Sequence, residues 1–79
     1  MCLLVGPILK QTDGYVFDSW MPELGAHRSF PYSRIEDAYY ARKFAIADAA
    51  RGGLATPIVC HTSDEFLSRI DGTRPQVAA

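Results

Sequence analysis

Ser33-Arg-Ile-Glu-Asp-Ala-Tyr-Tyr-Ala-Arg-Lys-Phe-Ala-Ile-Ala-Asp-Ala-Ala-Arg51, followed by Gly52-Gly53, is the stretch that decides the fold. Ser33 and Glu36 have capping-box spacing, in which a hydroxyl and a carboxylate satisfy two backbone donors reciprocally. Glu36 and Asp37 in the first turn and Arg51 in the last oppose the helix dipole at both ends. Six alanines supply high helix propensity, no proline interrupts the run, and Gly52-Gly53 offers a left-handed stop. These features predict one helix over residues 33–51.

On a helical projection Ile35, Ala38, Ala41, Ala45, Ile46 and Ala49 share one stripe, the expected core face. Alanine there lets the helix approach its neighbour closely, so the bulk of the core has to come from strand side chains. Tyr40 and Phe44 point away from that stripe at an i, i+4 spacing that permits ring contact. A second apolar face is either covered by the chain's own C-terminal segment, used by another molecule, or left exposed. Arg42, at the edge of the alanine stripe, has no acidic neighbour three or four positions away. It either lays its stem on apolar surface or aims its guanidinium at a strand carboxylate or a partner.

Upstream, residues 2–10 read as a strand bent or bulged at Gly6-Pro7, because proline cannot donate to a ladder. Gln11-Thr-Asp-Gly14 is a hairpin turn, and Tyr15–Trp20 is the second strand. Its alternation sets Tyr15 and Phe17 on one face and Val16, Asp18 and Trp20 on the other; Tyr15 and Phe17 are the expected bulk under the alanine ridge, with Val16 and Trp20 the alternative. A Pro- and Gly-punctuated loop over 21–26 leads to a short third strand at 27–31, with Phe30 near the helix entrance. Downstream, residues 57–62 form a short apolar strand of the kind found inside a sheet. Thr62 or Ser63 caps a short helix over 64–70, whose Phe66, Leu67 and Ile70 would cover the sheet edge or Tyr40 and Phe44. Residues 71–79 carry no periodic signal and are expected to be a flexible tail.

The expected architecture is a small two-layer α+β domain over residues 1–70: a three- to four-stranded, mostly antiparallel sheet covered by one long helix, in the order β-β-β-α-β with a short C-terminal helix. With 48% hydrophobic and 22% charged residues, the 79-residue chain has the composition of a globular domain. Its eight Lys and Arg are dispersed and the formal net charge is -1, so no nucleic-acid footprint is visible. The apolar start, Met1–Leu9, is short and broken by Gly6-Pro7, which supports neither a signal peptide nor a membrane span; a cytoplasmic location follows. Cys2 and Cys60 then fit free thiols better than a disulfide.

No chemical motif rises above background. Cys60 and His61, adjacent in a strand, would point to opposite faces and could not act as nucleophile and base. Cys2, Cys60, His27 and His61 lack metal-site spacing, Asp13 and Asp18 are accounted for by a turn and a solvent-facing strand position, and Gly52-Gly53 follows a helix instead of opening one. No cofactor is expected. Nine aromatic residues remain, more than so small a core needs. The reading is therefore a small non-enzymatic protein-binding module, self-associating as a homo-oligomer, with Tyr40, Phe44, Arg42, Lys43 and Trp20 as its contact surface and its protein partner unknown. Phage and mobile-element proteins that block a host machine are often of this size and kind, and such an inhibitor is one concrete version. The alternatives are a nucleic-acid binder using Arg28, Arg34, Arg42 and Lys43, and a small-molecule site shared between subunits.

Overall fold

The computed structural model describes residues 1–53 and 55–73. Eight segments follow one another: β1 (Cys2–Val5), β2 (Leu9–Gln11), β3 (Gly14–Met21), a 3-10 turn (Pro22–Leu24), β4 (Ala26–Tyr32), α1 (Ile35–Gly52), β5 (Thr56–Val59) and α2 (Ser63–Thr73). This is the expected small α+β domain with one long and one short helix, but its sheet is mixed and has five strands where the sequence predicts three or four, mostly antiparallel.

β3 organises the sheet because it pairs along both edges. β4 runs antiparallel along one edge, from Tyr15 opposite Tyr32 to Met21 opposite Ala26. β1 and β2 share the other edge, β1 through Leu4 opposite Trp20 and β2 through Leu9 opposite Val16. Gly6, Pro7 and Ile8 lie opposite only Phe17 and Asp18, so β1 and β2 are one strand with a single-residue bulge at the site the proline predicts. At the hairpin, Gly14 is at φ 156°, and a Cβ there would run into the Tyr32 carbonyl oxygen. Only glycine closes this turn against β4.

β5 differs from its expected place. It pairs with β1 alone, in parallel, so it is an edge strand rather than an interior one, and the spatial order is β4, β3, β1, β5. Pro57 suits an edge. The strand also ends at Val59, which leaves Cys60, His61 and Thr62 beyond it. Cys2 lies opposite Thr56 and Val5 opposite Val59, so Cys2 and Cys60 are separated by about 13 Å along the strands and both are free thiols.

α1 starts later than its capping box predicts. Strand pairing holds the chain extended through Tyr32, Arg34 becomes the N-cap at φ -119° and ψ 140°, and no side chain caps the helix. Glu36 then occupies the second helical position instead of the third, and its carboxylate pairs with Arg34 Nε at 3.3 Å. The other end is as predicted, with Gly53 left-handed at φ 64°. Ala38 is buried, Ala41, Ala45, Ile46 and Ala49 are half-buried, and Ile35 at the first turn is exposed.

The two helices take opposite faces of the sheet. Leu4 packs with Cys60, Phe66 and Ile70, and Cys2, Trp20 and Ile58 close around them, which puts α2 on the Leu4 and Trp20 face. By alternation Leu3, Val5 and Phe17 face the other way, toward α1. Phe17 is 1% exposed and stacks on Phe30 at 4.9 Å, so the strand bulk under the alanine ridge is the expected one. α2 therefore does not cover Tyr40 and Phe44. It continues through Thr73, past the expected limit at residue 70; the rest of the expected tail, and Leu54, lie outside the described residues.

Candidate functional site

The least ordinary surface lies between α1 and β4. Phe17, Phe30 and Tyr32 form the floor of an open groove of about 540 Å³, and Ala41 and Ala45 form its helical wall. Tyr40 and Phe44 stand on the rim at 74% and 54% exposure, with Asp37 at the end near Tyr32. The small alanine ridge brings the helix close to the sheet, and β4, at the sheet's edge, extends beyond the helix's cover. Tyr40 and Phe44 make no ring pair with each other, although their spacing allows one; the described ring pairs are Phe17 with Phe30 and Tyr32, and Trp20 with His27. A second cavity of about 400 Å³ continues the groove past Phe30 and Ala45 to Met21, Arg28 and Asp48.

The other residues expected at the surface are not gathered there. Arg42 turns inward: Nε donates to the Gly6 carbonyl at 2.7 Å and Nη2 to the Cys60 carbonyl at 3.1 Å. Its guanidinium ties α1 to the carboxyl ends of β1 and β5, an outcome that neither the snorkelling nor the carboxylate reading describes. Burial lowers its pKa. Lys43 is exposed and lines a neighbouring concavity with Tyr39, Tyr40, Arg42 and Ile46. Trp20 lies on the opposite face of the sheet, packed against the α2 cluster and edge-on to His27 at 5.9 Å. Tyr40 and Phe44 are thus together at the groove, joined by Phe30, Tyr32 and Asp37, and Tyr40 also borders the concavity of Arg42 and Lys43, while Trp20 lines neither. Sequence alternation from Phe17 could have placed Phe30 and Tyr32 on that face once the β3–β4 register was known.

The chemistry-bearing side chains form no reaction centre. Cys60 is buried, which raises its thiol pKa, while His61 is exposed. His27 is on β4, three strand spacings or about 14 Å across the sheet from β5. Ser29, Asp18 and His27 do meet on the α2 face, a grouping the sequence reading missed. Ser29 Oγ donates to Asp18 Oδ1 at 2.6 Å and His27 Nε2 is 4.0 Å from Asp18 Oδ2. The hydroxyl is therefore bonded to the carboxylate and not to the imidazole, so the order of a serine–histidine–carboxylate relay is not formed. Among the described residues no three His, Cys, Asp or Glu side chains gather as metal ligands, and no helix is long and apolar enough to cross a membrane.

The reciprocal cap expected on α1 is found on α2. Thr62 Oγ1 accepts from the Glu65 N–H at 3.1 Å, and Glu65 Oε2 accepts from the His61 N–H at 2.9 Å. That backbone bond, helped by Arg69, lowers the Glu65 pKa. A carboxylate with a lowered folded pKa stabilises the fold above its unfolded pKa, about 4.3, and loses that contribution as pH falls further. Glu65→Gln is expected to melt below the wild type at pH 7, and the gap should close in melts recorded below about pH 4. A gap independent of pH would show that the carboxylate charge is not what holds the cap.

Comparison of the chain with protein-family models, with curated proteins and with solved structures finds no match.

Proposed function

We propose that this chain is a non-enzymatic protein-contact module, and that its contact surface is the flank formed by α1 and β4. One observation carries the reading: two large aromatic side chains, Tyr40 and Phe44, are held exposed on the rim of an apolar groove whose floor is three further rings. Aromatic side chains in a partly desolvated depression are the residue type and setting that dominate protein interfaces. Self-association belongs to this reading, and inhibition of a host machine is a version of it that rests on size and on the absence of a chemical motif.

The alternatives find less support. The groove volume suits a small ligand, but such sites need several convergent polar groups, and Asp37 is the one charged residue lining this groove. Phosphate binding would need the basic residues together, whereas Arg42 is engaged by main-chain carbonyls and Arg34 by Glu36.

Site-directed photo-crosslinking in the source cells tests the reading. A photoreactive phenylalanine in place of Tyr40 or Phe44 should give discrete protein crosslinks, to a second copy or to another protein. The same group in place of Leu67 is the control, since Leu67 is a comparably exposed apolar residue (55%) on α2. No crosslink from positions 40 and 44, or equal yields from position 67, would overturn it.

A further inference from the structure

We propose that the occupant of this flank is a second copy of the chain, joined by antiparallel pairing of β4 with β4 about a two-fold axis at Ser29. The inference rests on the contact-surface reading above and names its partner.

β4 is seven residues long and, among the described residues, pairs with β3 alone, so its outer edge offers unpaired backbone groups. Which groups these are follows from the ladder. The Asp18 carbonyl accepts from Gly6 N at 2.8 Å, so Asp18 directs its backbone groups toward β1. Its partner Ser29 is therefore in a non-hydrogen-bonded pair with β3, and the backbone N–H and C=O of Ser29 and His27 point outward. Pro31 occupies the next outward position, where its missing N–H breaks no bond to β3.

Backbone donors and charge together set the register. With Ser29 opposite its own copy, the Ser29 pair exchanges two bonds and each His27 N–H meets the partner's Pro31 carbonyl. Arg28 then lies opposite the second copy's Phe30, on the groove face, with the second copy's Tyr32 diagonal to it on one side, within reach of a long side chain, and the second copy's Arg28 diagonal on the other. That places the guanidinium over an aromatic ring and beside the Asp37 end of the second groove. Arg28 and Asp37 make no ion pair among the described residues, and in this register Arg28 lies beside the second copy's Phe30 and Tyr32, which line one groove with its Asp37. Moving the register by two residues toward the start of β4 would bring the two Arg28 side chains from diagonal to directly opposite, a closer like-charge pair, and moving it by two the other way would set Ser29 against Pro31, which has no N–H to exchange. In the Ser29 register the two sheets become continuous, and Tyr40 and Phe44 of each helix face the same side chains of the other across the joined β4 strands.

Sedimentation equilibrium on the full chain tests this. The wild type is expected at twice 8.7 kDa. Ser29→Pro removes an outward N–H without touching the β3 ladder and should give a folded monomer by circular dichroism. Arg28→Asp and Asp37→Arg should each weaken association at least about tenfold, and the double exchange should recover at least about threefold of that loss but not all of it, since the charge pairs are rebuilt with reversed sign while the ring contact of Arg28 is not. A strictly monomeric wild type, or a dimer indifferent to Ser29→Pro and to both charge reversals, overturns the proposal. A monomer that still crosslinks another protein from positions 40 and 44 overturns this inference and leaves the contact-surface reading standing. A dimer lost in Tyr40→Ala/Phe44→Ala but retained in Ser29→Pro overturns the edge pairing alone.

Discussion

Phe17→Ala is expected to lower the melting temperature by roughly 15 to 35 °C and to leave a fraction of the protein unfolded at 37 °C. Phe17 is among the largest fully buried side chains and lies under α1 between Phe30, at 4.9 Å, and Tyr32, at 6.2 Å. Truncating a buried phenylalanine costs about 3 to 5 kcal/mol, through lost transfer energy and the cavity left behind. A domain of this length has roughly 4 to 12 kcal/mol in total, and each kcal/mol moves the midpoint by about 4 to 8 °C. Collapse cannot refill the space easily, because the opposing helix presents alanines. Circular dichroism melts are the measurement, with Tyr40→Ala as the control, expected within about 0.5 kcal/mol of the wild type for an exposed position. A Phe17→Ala loss below about 1 kcal/mol would mean that the aromatic layer is not what α1 rests on.

Arg42→Met should cost about 2 to 4 kcal/mol and loosen β5 selectively. Methionine keeps an unbranched apolar stem and deletes the guanidinium, leaving the Gly6 and Cys60 carbonyls without the donors that now satisfy them. Both residues are buried, so water does not replace the lost bonds freely. Amide exchange should accelerate over 56–60 more than over 15–21, since β5 has one neighbouring strand and β3 is paired along both edges. Arg42→Lys should recover part of the loss, because an ammonium presents a point charge where the guanidinium presents a fork. Uniform acceleration across the sheet would refute the clamp.

The parts of this fold legible in the sequence are those with local causes. Asp13-Gly14 marks a turn because glycine alone fits beside the Tyr32 carbonyl, Gly53 ends α1 because it takes a left-handed conformation, and the alanine stripe marks the buried face of the helix. The illegible parts have distant causes. Nothing near Thr56–Val59 states that the strand will lie parallel to Cys2–Val5, and nothing in α2 states which face of the sheet is free for it. The Ser33 capping box failed for an intermediate reason: the spacing is present, but β4 pairing through Tyr32 moved the helix start beyond it. The site divides in the same way. Tyr40 and Phe44 were readable from helical phase, whereas Arg42 lacked a local partner because its acceptors are main-chain carbonyls 36 and 18 residues away.

The seating of β1 between β3 and β5 sets an order on biosynthesis. The ribosome delivers the meander and α1 before the strand that pairs with Cys2–Val5, and the segment carrying Phe66 and Ile70 comes later still. Until then the nascent chain presents Leu4 and Trp20 bare on one side of a half-built sheet. That interval is the chain's period of greatest exposure to chaperones and proteases.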